Sequence, residues 1–213
     1  MTIRAVVVDI GGVLERVDDD SWPQRLMARW EQRAGRPAGH LLTALSEHAP
    51  GDAIATGRLT EQDVRTLYAD ALGLDDRLTD QLMAEMWDAY CGELDVAMRD
   101  FIAGLRPAYK TAILSNSADG ARREEQRRYD FESLVDVILY SHEVGVAKPD
   151  PAIFELTEQR LGATPEEIVF IDDHAPHIDA ARQRGWYAVH HTNTPQTIAD
   201  VSALLQPGGR GGP

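Results

Sequence analysis

Near the start of the chain, residues 3–8 read IRAVVV, an apolar run broken only by Arg4 that closes on the acid Asp9, with Gly11 and Gly12 just behind. A short run of this kind, rich in β-branched side chains, predicts a strand buried on both faces, and the paired glycines predict a tight loop at its carboxyl end. From about residue 18 to 92 the apolar positions change to helical spacing. Aromatic side chains recur there at Trp22, Trp30, Tyr68, Trp87 and Tyr90, and turn signals break the pattern at 35–39, at Pro50 and Gly51, and at Gly57. Within this block Thr60 and Asp63 resemble a capping box, with Asp in place of the usual Glu.

Beyond Asp95 the period alternates between strand and helix. The pattern predicts a helix to about Leu105, a strand over 110–114, a helix from Asp119, a strand over 135–140, and a helix over 151–161 that starts on Asp150 and Pro151. Thr164, Pro165 and Glu167 form a full capping box and predict the next helix start. A strand over 168–171 ends at Asp172 and Asp173; a helix over about 177–184 stops at Gly185; a strand over 187–190 and a helix from Thr194 and Pro195 to Leu205 complete the series. Such alternation predicts an α/β protein whose mostly parallel strands are joined by right-handed crossovers into a doubly wound sheet, with the helical block as an insert after the first strand. Residues 206–213, rich in Gly and without apolar side chains, are expected to be disordered. There is no internal repeat.

Composition narrows the partners. At 213 residues, 43% of them hydrophobic, the chain can bury a core and an insert, while a formal charge of -14 opposes the basic surface that nucleic acid requires. A single cysteine, Cys91, excludes an intrachain disulfide and reads as a packed thiol of a reducing compartment. No apolar stretch approaches bilayer length, so no membrane partner and a cytoplasmic location are expected.

Four polar features fall at or just after the carboxyl ends of predicted strands: Asp9, Ser115 with Asn116, Lys148, and Asp172 with Asp173. In an open parallel sheet those ends form one rim, so they can meet around one ligand. Taken singly, each has an ordinary alternative: a loop acid, a turn serine, a surface lysine ahead of a helix start. The adjacent acids are the most pointed signal, because two carboxylates repel unless a cation or a lysine offsets them.

The strings that carry these residues, VVVDIGGVL, ILSNS, GVAKPDPAIF and VFIDDHAPHIDAARQRGW, together resemble the four ordered motifs of the haloacid dehalogenase (HAD) superfamily. The insert resembles the helical cap of its haloacid dehalogenase and sugar-phosphatase-like branch. The resemblance implies a Rossmann-like core over 1–17 and 93–205 and an α-helical cap over 18–92. It also implies a phosphatase of a small phosphorylated metabolite, a sugar phosphate among them. Asp9 would then attack phosphorus and form an aspartyl-phosphate. Mg²⁺ would be held by Asp9, the backbone carbonyl of Gly11, Asp172 and Asp173. Ser115, Lys148 and the N–H groups of Ile10 and Gly11 would hold the phosphoryl oxygens, and Asn116 would orient the leaving group or substrate. Specificity would come from cap residues such as Trp22, Arg25, Trp30 and Arg33.

The chain departs from the family pattern twice. Most family phosphatases carry a second Asp two positions after the nucleophile as general acid and base; here that position is Gly11, as in a related sugar-phosphatase-like subgroup. The loss is worth about 10²–10⁴-fold in rate unless Glu15, Asp18, Asp19, Asp20 or His174 substitutes. His177 stands where Asn commonly supports the acid pair, and a structural hydrogen bond is its expected role. The vacancy at Gly11 keeps two other readings open: a metal-independent dehalogenase, against which the acid pair argues, and an impaired binding or regulatory protein. Nothing in the sequence speaks to oligomeric state.

Overall fold

The computed structural model describes residues 2–16, 21–49 and 52–206. The expected disorder of 206–213 therefore falls outside it save for Gln206, as do Asp18, Asp19 and Asp20. The chain opens with β1 (Ala5–Val8), passes the site loop, and forms a two-residue strand β2 (Glu15–Arg16). Four helices follow, α1 (Trp22–Arg33), α2 (His40–His48), α3 (Glu61–Leu72) and α4 (Asp76–Cys91), after which β3 (Glu93–Leu94) returns antiparallel to β2. The remaining elements alternate as α5 (Val96–Gly104), β4 (Lys110–Ser115), α6 (Ala121–Tyr129), α7 (Phe131–Leu134), β5 (Val137–Tyr140), α8 (Ser141–Val144), α9 (Pro151–Leu161), β6 (Ile168–Asp172), α10 (Ala175–Gln183), β7 (Tyr187–His190) and α11 (Thr194–Leu205).

The sheet order is β5-β4-β1-β6-β7, and every pair is parallel. The doubly wound α/β architecture read from the sequence is the one observed. Strand β1 lies at the centre because it is apolar on both faces: Val6 and Val8 point into one core layer with Ile113, Val169 and Ile171, while Ala5 and Val7 point into the other with Leu114, Phe170 and Trp186. No solvated face is left, so the alternation of a half-exposed strand is absent. With β4 on one side and β6 on the other, β1 marks the point where the winding reverses, where open α/β sheets place their ligands.

Helices α1 to α4 enclose an apolar cluster of their own, including Leu26, Trp30, Leu41, Val64 and Leu82. Thr60 and Asp63 close the expected capping box at the start of α3. The insert docks on the core at Gly120, where a Cβ would come within 2.7 Å of the Trp87 ring. Cys91 is a buried free thiol, and no described helix is long and apolar enough to cross a membrane.

Three local expectations are corrected. The box at Thr164 caps only a single 3₁₀ turn, Pro165–Glu167, because the β-branched pair Ile168 and Val169 starts β6 at once. Helix α10 begins at Ala175, two residues earlier than read, since Pro176 fits the first turn of a helix rather than preceding it. Strand β5 starts at Val137 rather than at 135, because Val135 packs beneath α7 and Asp136 turns back to accept a hydrogen bond from the Thr111 N–H.

Candidate active site at the strand rim

The parallel registers bring the carboxyl ends of β1, β4 and β6 level, with Val8 opposite both Ile113 and Ile171. Asp9 follows β1 directly, and its N–H donates to the Ile171 carbonyl at 2.9 Å, which anchors it to β6. Its side chain turns to the rim, where Oδ1 accepts the Ile10 N–H at 2.7 Å and Oδ2 meets Lys148 Nζ at 2.9 Å.

Lys148 is the hub. Its side chain is fully buried, and Nζ lies 2.7 Å from Asp172 Oδ2 as well as against Asp9. Asn116 holds the lysine from behind, its Oδ1 accepting the Lys148 N–H and its Nδ2 donating to the Lys148 carbonyl, each at 2.8 Å. Both ends of the amide thus engage the Lys148 backbone.

Asp172, at the end of β6, is also wholly buried. Besides Lys148 it accepts the His174 N–H at 2.8 Å, and His177 Nδ1 sits 3.1 Å from each of its oxygens. His177 therefore supports the acid pair by a hydrogen bond. Asp173 lies on the exposed side, against the loop that follows β1: a Cβ on Gly12, whose φ is +75°, would fall 2.1 Å from its Oδ2. Only glycine lets that backbone and that carboxylate approach so closely. Ser115 is buried at the end of β4, its hydroxyl making, among the described residues, only a long 3.4 Å contact to the Asn116 carbonyl. Gly11 is exposed, with open space where a side chain would stand.

The charges do not balance. Burial and the neighbouring Asp172 push the Asp9 carboxyl well above the usual carboxylate range, against the pull of Lys148 and the Ile10 N–H. Burial would raise Asp172 too, but the hydrogen bond from His177 and the charge of Lys148 outweigh it and hold Asp172 below that range. Burial acts to depress Lys148, and the two carboxylates override it, so the ammonium stays charged. One lysine is shared by two acids, and a further positive charge at the rim would favour the ionised form of Asp9. That deficit, with ligand atoms of Asp9, Asp172 and His177 within 4.8 Å of one another and Asp173 at the loop, fits a hard divalent cation.

Of the candidates for the missing acid, His174 is exposed, its ring 4.6 Å from that of His177. Glu15 is 1% exposed beneath the loop and belongs to a second acidic pair that sequence reading missed. Its partner Glu125 is fully buried and accepts the Tyr140 hydroxyl. One oxygen of each, Oε1, has no hydrogen-bond partner among the described residues. Burial pushes both carboxyls far up, with Glu125 adding to the rise at Glu15. Also unforeseen is a contact of 2.7 Å between Ser117 Oγ and His142 Nδ1 beside the rim.

The model of the haloacid dehalogenase-like hydrolases matches residues 3–185. The bifunctional epoxide hydrolase 2 of Sus scrofa is 28% identical over 224 residues, covering 96% of this chain, which spans only 39% of that relative's length. The D-ribitol-5-phosphate phosphatase of Bacteroides thetaiotaomicron is 24% identical and matches 95% of this chain and 98% of its own. Among solved structures, a HAD family enzyme of the same bacterium, in complex with magnesium and inorganic phosphate, superposes with a TM-score of 0.71 at 22% identity, over 88% of this chain and 93% of the other.

Proposed function

We propose that this chain, which belongs to the haloacid dehalogenase-like hydrolase family, is a Mg²⁺-dependent phosphatase that transfers the phosphoryl group of a small phosphorylated metabolite first to Asp9 and then to water. The observation that carries the reading is the fully buried Lys148 ammonium held between Asp9 at 2.9 Å and Asp172 at 2.7 Å. A buried cation shared by two acids fixes the Asp9 carboxylate in one orientation and leaves the rim short of positive charge, which suits an anion delivered with a metal.

In this reading an Asp9 oxygen forms a bond to phosphorus as the bond from phosphorus to the leaving oxygen breaks, and water then displaces Asp9 from the aspartyl-phosphate. Lys148 offsets charge on the nucleophile and the phosphoryl group. Ser115 donates its hydroxyl to a phosphoryl oxygen, and the N–H of Gly11 can do the same while that of Ile10 holds Asp9. Asn116 keeps Lys148 in register. Mg²⁺, held by Asp9, the Gly11 carbonyl and Asp173, with Asp172 behind them, would supply charge neutralisation on the phosphoryl oxygens. Helices α1 to α4, as a cap, would exclude water and select the substrate. With glycine at 11, good leaving groups are favoured, since their oxygen needs little protonation.

The test is a screen of phosphorylated metabolites with Mg²⁺, run beside Asp9→Asn and with EDTA. Asp9→Asn keeps the shape of the side chain and should turn over nothing, and chelation should silence the wild type. Equal turnover by Asp9→Asn would remove the nucleophile, and a chelator-resistant rate would remove the metal.

A further inference from the structure

Inside the helical insert lies a cavity of about 220 Å³. Protein interiors rarely leave voids larger than a water molecule, and an apolar void of about 150 Å³ already accommodates an aromatic ring. The wall is apolar almost throughout: Trp22, Leu26, Trp30, Val64, Met83 and Trp87 form much of it. The carboxylates at its edge are already engaged. Glu61 accepts the Trp87 indole N–H at 2.6 Å and two hydrogen bonds from Arg123 at 2.9 Å, and Asp119 accepts the Glu61 N–H at 2.8 Å.

The cavity also reaches the core. Ala118 and Asp119, part of its wall, follow Ser115 by three and four residues on the loop that leaves the rim. Trp87, which closes the seam over Gly120, is a wall residue as well. One surface of the void is thus continuous in the chain with the loop expected to hold phosphate.

Resting on the phosphatase reading, the geometry points to this cavity as the subsite for the organic part of the phosphomonoester, and to an apolar substrate: an aryl or arylalkyl phosphate rather than a polyol phosphate. Several hydroxyl groups of a polyol would enter a wall that is apolar apart from Thr60, Tyr68 and Tyr90 and two carboxylates already bonded, so most would lose their hydrogen bonds to water without replacement. Three of the five methionines, Met27, Met83 and Met86, line the void. Their flexible thioethers adapt to differing shapes, so the specificity is for a chemical class rather than for one molecule.

Two arms test this. In the first, 4-bromophenol is titrated against the full chain without any phosphate, and tryptophan fluorescence is read, since three of the four tryptophans line the void. Quenching should saturate in the wild type and weaken at least tenfold in affinity in Val64→Phe or, should that variant fail to fold, in Ile54→Phe, each of which fills the space. In the second, kcat/KM with Mg²⁺ is compared for 3-phenylpropyl phosphate, glycerol phosphate and methyl phosphate. The wild type should favour the arylalkyl ester over glycerol phosphate at least tenfold, and the filling variants should lower the ratio of 3-phenylpropyl to methyl phosphate by a similar factor. Unsaturable quenching, or a ratio unmoved in a folded filling variant, overturns the subsite. Saturable quenching that the variants abolish, with no phosphate hydrolysed, upholds the cavity's ligand chemistry and overturns the phosphatase reading instead.

Discussion

Replacing Lys148 by methionine removes the one ammonium between Asp9 and Asp172 while keeping the length of the side chain. Both lysine and Asp172 side chains have no exposed surface, and that of Asp9 has 11%, so water cannot take over the lost charge. Asp172 retains His177 and the His174 N–H; among the described residues Asp9 retains the Ile10 N–H alone. Breaking a buried ion pair by deleting one partner costs about 3–5 kcal/mol, a large share of a stability of about 5–15 kcal/mol. The cost depends on pH with a definite sign. Asp9 already stands above its ordinary 3.8, with Lys148 the strongest pull against that rise; deleting the lysine raises it further, so the folded variant holds a proton there that the unfolded chain has lost, and its deficit shrinks as pH falls from 8 toward 5. Urea unfolding of wild type, Lys148→Met and Asp9→Asn/Lys148→Met at pH 8 and pH 5 measures it. The double variant, with one charge fewer, should recover part of the loss at pH 8. A Lys148→Met variant within about 1 kcal/mol of wild type at both pH values would refute the claim that this lysine offsets buried negative charge, since that is well below the cost expected of a broken buried pair.

Gly11→Asp meets no atom within 4 Å of its Cβ, so the fold should accept it, and hydrolysis of unactivated alkyl phosphates should rise by up to about 10²-fold if the vacancy is a true deficit; an unchanged rate in steady-state assays would show that another group already moves the proton. Glu125→Gln addresses the second acidic pair. Because burial raises both Glu15 and Glu125 above their ordinary 4.5, wild-type stability should fall as pH rises above that value, and the neutral amide should flatten the slope in thermal melts between pH 5 and 8; an identical slope would mean the pair is not buried as described.

Much of this was legible in the sequence for one reason: three of the chemical groups sit at the end of an apolar run, while Lys148 stands in the loop between α8 and α9. Asp9, Ser115 and Asp172 were placed by strands buried on both faces, and parallel pairing did the rest. What escaped notice depended on partners distant in the chain. Asn116 and Lys148 are 32 residues apart, so the backbone clamp between them leaves no local trace. Glu125 lies in the highly charged α6, ARREEQRRY, which reads as a solvated face, yet it is fully buried. Strands β2 and β3, two residues each, are too short to carry a period. The capping box at Thr164 marked an element start correctly but could not report its length, which the following β-branched residues decide.

That small antiparallel ribbon has a consequence for how such a molecule can change. Glu15 pairs with Leu94 and Arg16 with Glu93, so the chain departs from the catalytic platform and comes back through a doorway about 5 Å wide, one inter-strand spacing. Whatever is threaded between those posts can lengthen, shrink or be exchanged with another protein's segment while the order of the five strands, and the lysine wedged between its two acids, stays as it is. The insert and the strand rim are thereby free to evolve at different speeds on a single polypeptide.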